Sequence, residues 1–358
     1  MRPAAYAKLN LDAVQHNLAV VRRYAPQAKV MAVIKANAYG HGMLRIAKKL
    51  DSADGFAVAR VDEGIKLRKA GIQQRIAVME GFTCAEELDN LIHYNVDALV
   101  HSYGQLEDFE NRSGRDRIAI WLKIDTGMNR LGFAVSEVAD VYRRLSACPI
   151  IKQPIGLMTH LANADDKNDP MTLKQIRLFN ETVAGFPGPR SIANSAGILG
   201  WRESLSEWVR PGVMLYGISP FADSTGEQLE LKPVMGLHSR LIAVKAIKQG
   251  EAVGYGGSWI CEQSTTMGVV AIGYGDGYPR HAKAGTPVLV NGRRVPLIGR
   301  VSMDMITVDL ASQPAAKPGD PVTLWGSGLA VEEIAICAGT IPYTLLCGIT
   351  QRVQIVEE

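Results

Sequence analysis

A chain of 358 residues, 47% of them hydrophobic, can bury a large core and divide into two domains, so disorder is not expected. Its net charge of +3 is spread without any basic stripe, which speaks against nucleic acid as a partner. The five cysteines, Cys84, Cys148, Cys261, Cys337 and Cys347, form no CxxC pair; neither a metal site nor a disulfide framework is indicated, and free thiols suit a reducing compartment.

The stretch MRPAAYAKLNLD has no apolar signal region, and no run is long enough to span a bilayer. A soluble cytoplasmic protein without membrane contact is expected. Asp12 can cap a first helix, with Gln15 at the box position and Val14, Leu18 and Val21 on one face. Val30 to Ile34 then read as a strand buried on both faces. Lys35 ends it, and the glycine-broken turn ANAYGHG follows. Such a lysine either snorkels to solvent along its stem or sits partly desolvated. Desolvation would lower its pKa and free a neutral amine for Schiff-base chemistry.

Short apolar runs continue at 55–59, 75–79, 96–101, 118–125, 154–161, 191–195 and 213–218. Between them lie helical patterns such as VSEVADVYRRL (135–145) and TLKQIRLFNETV (172–183). With the first, these make eight strands in βα alternation, which predicts a closed (β/α)8 TIM-type barrel. A doubly wound sheet is the rival, but AYGHG is not a dinucleotide fingerprint. Beyond about residue 230 the runs 238–248, 265–273, 286–299, 305–310 and 321–326 are strand-like, with a hairpin signal at Asn291-Gly292. Only VEEIAICAG (331–339) reads as helix there. The expected division is a barrel over 9–230 and a mostly β C-terminal domain over 231–358.

Barrel active sites lie at the C-terminal ends of the strands. Lys35, Lys123, Asp125, His160, Asn194 and Ser195 fall there, and Arg210, Gly212 and Val213 start the eighth strand or just precede it. Singly, each has a plainer role: His160 as a core histidine, Ser195 as a helix cap, Arg210 as a turn residue. Together they occupy one rim. Ser195, Gly212 and Val213 lie where barrels often bind phosphate, and a phosphate site plus a strand-end amine is what pyridoxal phosphate (PLP) requires. Lys35 would carry it, with Tyr39 as a further phosphate contact. The glycine-rich stretches VGYGGSW and GYGDGYPR are either flexible turns or part of a site, and neither is a P-loop.

VIKANAYGHG, KIDTGMNRLG, MTHLANAD, SIANSAGIL, WVRPGVMLYG, VGYGGSW, AIGYGDGYPR and GRVSMDM closely resemble, in order, the motifs of bacterial alanine racemases. The resemblance runs from about residue 30 to 345 and implies a barrel followed by a β domain, with residues 1–8 packed with the latter. It implies that Lys35 binds PLP and is one catalytic base, and that Tyr255 is the other. Arg210 would face the pyridine nitrogen, with His160 linking it to Tyr255. Tyr39, Ser195, Gly212, Val213 and Tyr343 would hold the phosphate. Arg130 and Met303 would hold the substrate carboxylate, and Tyr274, Arg280, Arg300 and Asp165 would line the access corridor. It also implies a homodimer with shared active sites, alanine as substrate, and carbamylation of Lys123, whose proximity to Arg130 in a dry pocket would be relieved by a negative carbamate. The alternatives are a racemase of wider range and a barrel-type PLP decarboxylase. An arginine rather than a carboxylate at the pyridine nitrogen speaks against the decarboxylase.

Overall fold

The structure, a computed structural model, describes residues 4–358. The chain separates into a barrel unit (15–38 and 42–215) and a β unit built from the residues up to Val14, from 39–41 and from 216–358.

In chain order the strands are β1 Tyr6–Leu9, β2 Lys29–Val33, β3 Gly55–Val58, β4 Arg75–Val78, β5 Asp97–Val100, β6 Ile120–Asp125, β7 Phe133–Ala134, β8 Gly156–Met158, β9 Arg190–Ser191 and β10 Trp208–Val209. Eight of these, β2 to β6 and β8 to β10, pair in parallel and close on themselves, β10 against β2. This is the expected (β/α)8 barrel. Its strands are short and buried on both faces, as parallel strands under a helical layer must be; β3 and β5 are buried at every position. Inside the barrel Met31, Ala57, Ala77, Leu99, Trp121, Met158 and Trp208 pack together, so the interior is filled. Gly156 is needed there, because a Cβ would stand 2.4 Å from the Trp121 ring.

Two local expectations are corrected. The first helix, Leu11–Tyr24, is capped by Asn10, whose Oδ1 accepts from Ala13 N at 3.0 Å, and not by Asp12. The eighth strand is Trp208–Val209; the apolar run 213–218 begins instead as a buried 3-10 turn, Val213–Tyr216. Apolarity there reports burial, which a turn and a strand share. Arg210 therefore follows the eighth strand and sits at its C-terminal end.

The β unit continues with β11 Met235–Ile247, β12 Ala252–Val253, β13 Trp259–Ile260, β14 Thr265–Val270, β15 Pro287–Val290, β16 Arg293–Ile298, β17 Ile306–Asp309, β18 Pro321–Trp325 and β19 Gln354–Glu357. The thirteen residues of β11 pair with β18 in their first half and β14 in their second, which bends one sheet back on itself. β1 lies in this sheet, antiparallel to β11 and parallel to β19. Asn291 and Gly292, at φ 50° and 76°, make the primed hairpin turn between β15 and β16. A second helix, Pro342–Cys347, joins Val331–Cys337. Pro342 at its first position was the available signal.

Candidate active site

In the barrel unit, Lys35 stands just beyond the C-terminal end of β2, with Ile34 between. The next four residues, Ala36, Asn37, Ala38 and Tyr39, all hold φ between 51° and 55°. One left-handed turn of non-glycine residues costs about 1–2 kcal/mol per residue, so its surroundings must impose it. They do. Glu63 Oε1 accepts from Ala36 N at 2.9 Å, and Glu63 Oε2 accepts from Ala59 N at 2.8 Å, which ties the turn to the loop after β3. Asn37 accepts from Gly42 N through its carbonyl and from Met43 N through its side chain, both at 2.9 Å. Glu63 carried no sequence signal. Lys35 itself is exposed, so this chain alone does not supply the desolvation considered for it.

Arg210 is buried at the end of β10 and held rigidly. It donates through Nη2 to the Thr159 carbonyl at 2.6 Å and the Ile192 carbonyl at 3.1 Å, and through Nη1 to Ser191 Oγ. The turn-residue reading of Arg210 is thereby excluded. Burial pulls its pKa down to about 9, which still leaves it cationic at neutral pH. Arg210 Nη2 also meets His160 Nδ1 at 3.3 Å. A guanidinium can only donate, so Nδ1 is the bare nitrogen and the proton of neutral His160 sits on Nε2. His160 stays neutral: burial, then Arg210, Lys123, Arg130 and Lys35, hold its pKa well below the ordinary imidazole value. Gln175, fully buried on the helix Met171–Val183, donates to the His160 carbonyl at 3.1 Å and to Thr126 Oγ1 at 3.3 Å. It fixes the ends of β6 and β8 together and was missed in the sequence.

Lys123 is buried on β6. Burial first, then Arg210 and Arg130, depress its pKa far below that of a free amine; Asp125 opposes this only weakly. Asp125 is occupied elsewhere, its Oδ1 accepting from Gly127 N at 2.9 Å and Asn129 N at 3.1 Å to shape the loop leading to the exposed Arg130. Ser195 opens a short helix but does not cap it; Asn194 does. Ser195 Oγ instead accepts from Gly212 N at 2.9 Å and Met214 N at 3.4 Å, which brings Ser195, Gly212 and Val213 into one small group with a hydroxyl proton to give. Asp165 is exposed on the loop after β8.

In the β unit, Tyr39 packs on Tyr216 and Tyr343 at ring-centroid distances of 4.7 and 5.8 Å. Burial, then Tyr343 and Cys347, push the Tyr39 pKa up, so its phenol is a firm hydrogen-bond donor. Tyr255 stands on the turn joining β12 and β13, 69% exposed. Gly254, Gly256 and Gly257 around it all have positive φ, which makes VGYGGSW a tight turn that holds the tyrosine outward. A Cβ on Gly256 would stand 3.2 Å from Arg300 Nη1, so Arg300 lies against the same turn. Tyr274 and Met303 are also exposed, and their loops are joined by Tyr274 N to Ser302 O at 3.0 Å and Gly275 N to Met303 O at 2.8 Å. Arg280 is exposed beyond them.

The donor set suits PLP. Arg210 has its Nη groups engaged and Nε–H left to meet a ring nitrogen. Ser195, Gly212, Val213 and the Tyr39 phenol are neutral donors of the kind that hold phosphate esters. A phosphate would take over the bond now made from Gly212 N to Ser195 Oγ. Among the described residues no group of His, Cys, Asp and Glu could hold a metal ion, and no helix is long and apolar enough to cross a membrane.

Two family models match the chain: the alanine racemase N-terminal domain over residues 9–220 and the alanine racemase C-terminal domain over residues 234–357. An alanine racemase from Shewanella sediminis is 50% identical over 355 residues, 99% of each chain. The solved biosynthetic alanine racemase of Pseudomonas aeruginosa superposes with a TM-score of 0.97 at 43% identity, covering 100% of both chains. The alanine racemase of Bartonella henselae, solved with covalently bound pyridoxal phosphate, superposes with a TM-score of 0.88 at 28% identity, covering 100% of both.

Proposed function

The chain belongs to the alanine racemase family, and on that premise we propose that it interconverts L- and D-alanine with PLP bound through Lys35. The product would serve cell-wall synthesis or alanine catabolism, in the cytoplasm. The observation that carries the reading is Arg210: a buried guanidinium fixed by carbonyls, with a neutral histidine beside it.

PLP would supply an electron sink for the carbanion left when the α-proton is removed. Arg210, being cationic, disfavours protonation of the ring nitrogen and so weakens that sink, which suits proton exchange and discourages side reactions. Ser195, Gly212, Val213, Tyr39 and Tyr343 would hold the phosphate. Lys35 Nζ, once free, would take or give the α-proton on one face, and the Tyr255 phenol on the other. A tyrosine is a weak base at neutral pH, with a reference pKa near ~10. The His160 Nε2–H, fixed in that tautomer by Arg210, can donate to a phenolate and stabilise it. Arg130 and Met303 N–H would orient the substrate carboxylate, and Tyr274, Arg280, Arg300 and Asp165 would line its approach. Lys123 would be carbamylated, a negative group between Arg130 and Arg210 in place of a buried amine between two cations. The working division of the chain is a barrel domain at 9–230 and a β domain at 231–358.

Purified protein loaded with PLP is incubated separately with L-alanine and L-serine while optical rotation is followed. Alanine should lose its rotation and serine should keep it. Borohydride reduction and digestion should place the pyridoxyl group on Lys35. An unchanged alanine rotation, or a label elsewhere, rejects the reading.

A further inference from the structure

The sequence motif GYGDG has so far been assigned only Tyr274. Its three glycines each lie where another strand of chain passes. A Cβ on Gly273 would stand 2.3 Å from the Ser302 carbonyl oxygen, and one on Gly277 would stand 2.4 Å from the Gly348 carbonyl oxygen. One on Gly275 would stand 2.4 Å from Arg352 Nη1 and 3.0 Å from the Met303 carbonyl oxygen. The motif is therefore a seat for two other segments, 302–304 and 348–352.

Arg352 spans that seat. Its Nη2 donates to Asp304 Oδ1 at 2.7 Å, and its Nε lies 3.3 Å from Asp276 Oδ1. Asp276 is buried and uses its other oxygen to accept from Gly273 N at 3.0 Å. Thr350, two residues before Arg352, donates through Oγ1 to the Gly275 carbonyl at 2.9 Å and through its backbone to the Asp276 carbonyl at 3.2 Å. To the backbone bonds Tyr274 N to Ser302 O and Gly275 N to Met303 O, one planar guanidinium thus adds a side-chain tie between the residue after Met303 and the loop that carries Tyr274.

We propose that Arg352 is a positioning residue for the substrate carboxylate: bridging Asp304 and Asp276, it sets the angle at which the Met303 N–H is presented. This rests on the reading of Met303 as a carboxylate contact. Arg352 touches no reacting atom, so its effect belongs in substrate binding and not in proton transfer. The bridge is half-exposed, and exposed ion pairs are weak, so the effect should be modest.

The PLP-loaded protein and its Arg352→Ala, Arg352→Lys and Asp304→Asn variants are compared for KM, kcat, melting temperature and amide exchange over 273–277 and 300–305. Arg294→Ala serves as control, since it breaks an exposed pair with Glu333 in the same unit. Arg352→Ala and Asp304→Asn should each raise KM for L-alanine about threefold to fivefold, with kcat changed less than twofold. Combining them should add nothing, Arg352→Lys should restore part of KM, and Arg294→Ala should leave it alone. Amide exchange at Tyr274 and Gly275 should quicken by a similar factor in Arg352→Ala. Unchanged KM in an active enzyme, a fall in kcat of twofold or more accompanying the rise in KM, or unchanged exchange at those amides each overturns the proposal. Wild-type protein that does not racemise alanine rejects the functional reading instead, and the amide-exchange result still decides whether Arg352 holds the loop.

Discussion

At the scale of single residues, charge and protonation decide what each group can do. On the proposed roles, Tyr255→Phe would remove the base on one face only. In deuterated water, exchange of the α-proton should fall far more for L-alanine than for D-alanine, and equal losses would sink the two-face division. Lys123 offers a second check. A buried amine close to Arg210 and Arg130 is stable if neutral, modified or offset by an anion. High-resolution density should continue in a plane beyond Nζ toward Arg130; density stopping at Nζ beside an anion would defeat the carbamate. His160 gives a pH dependence with a definite sign. Its folded pKa is depressed, so the unfolded chain binds the proton more readily. The stability it contributes is therefore complete above the unfolded value near ~6.5 and is lost as pH falls below it. Between about pH 6.5 and 5.5 wild type should lose about 1 kcal/mol more than His160→Gln, read from melting curves. Equal slopes would mean that His160 is protonated in the fold.

At the scale of elements, the left-handed turn after β2 is the costliest piece of local structure. Gly40 follows it at φ +83°, and a Cβ there would stand only 2.3 Å from the Leu346 carbonyl oxygen. Gly40→Ala should lower the unfolding free energy by at least about 2 kcal/mol. Gly71→Ala, at φ +84° with open space around it, should cost only about 1 kcal/mol and so separates close approach from backbone strain. Similar losses at both positions would contradict the close approach. Legibility follows the same line. Strands β3 to β6 could be read because parallel strands buried on both faces are short apolar runs with polar ends. β10 could not: two residues give no period, and the longer run beyond Pro211 drew the assignment to itself. Lys35 and His160 were legible as polar residues where strands end; Arg210 was singled out too, but at the start of the eighth strand and not at its end. Glu63, Gln175 and Arg352 were not, since each acts on segments distant in the chain through contacts that only the fold creates. The turn at 36–39 was invisible because Ala and Tyr carry no preference for positive φ.

At the scale of the whole molecule, the exposure of Tyr255 and Met303 fits residues that complete the site of a second copy. If sites are shared in this way, mixing Lys35→Ala with Tyr255→Phe, each expected to be inactive, should recover part of the activity, because a hybrid dimer would hold one site with both proposed bases intact. No recovery, once subunit exchange is demonstrated, would refute sharing. The placement of β1 bears on how such a molecule is made. β1 is translated before every barrel strand, yet its hydrogen-bonding neighbours are β11 and β19, which begin at residues 235 and 354. At roughly 5–20 residues per second, its backbone waits on the order of ten seconds or more for the first neighbour and longer for the second. The barrel strands are all synthesised within that interval. Vectorial synthesis therefore lets the barrel form locally while the sheet that holds β1 stays open, and that sheet can close only after β11 and β19 have been made.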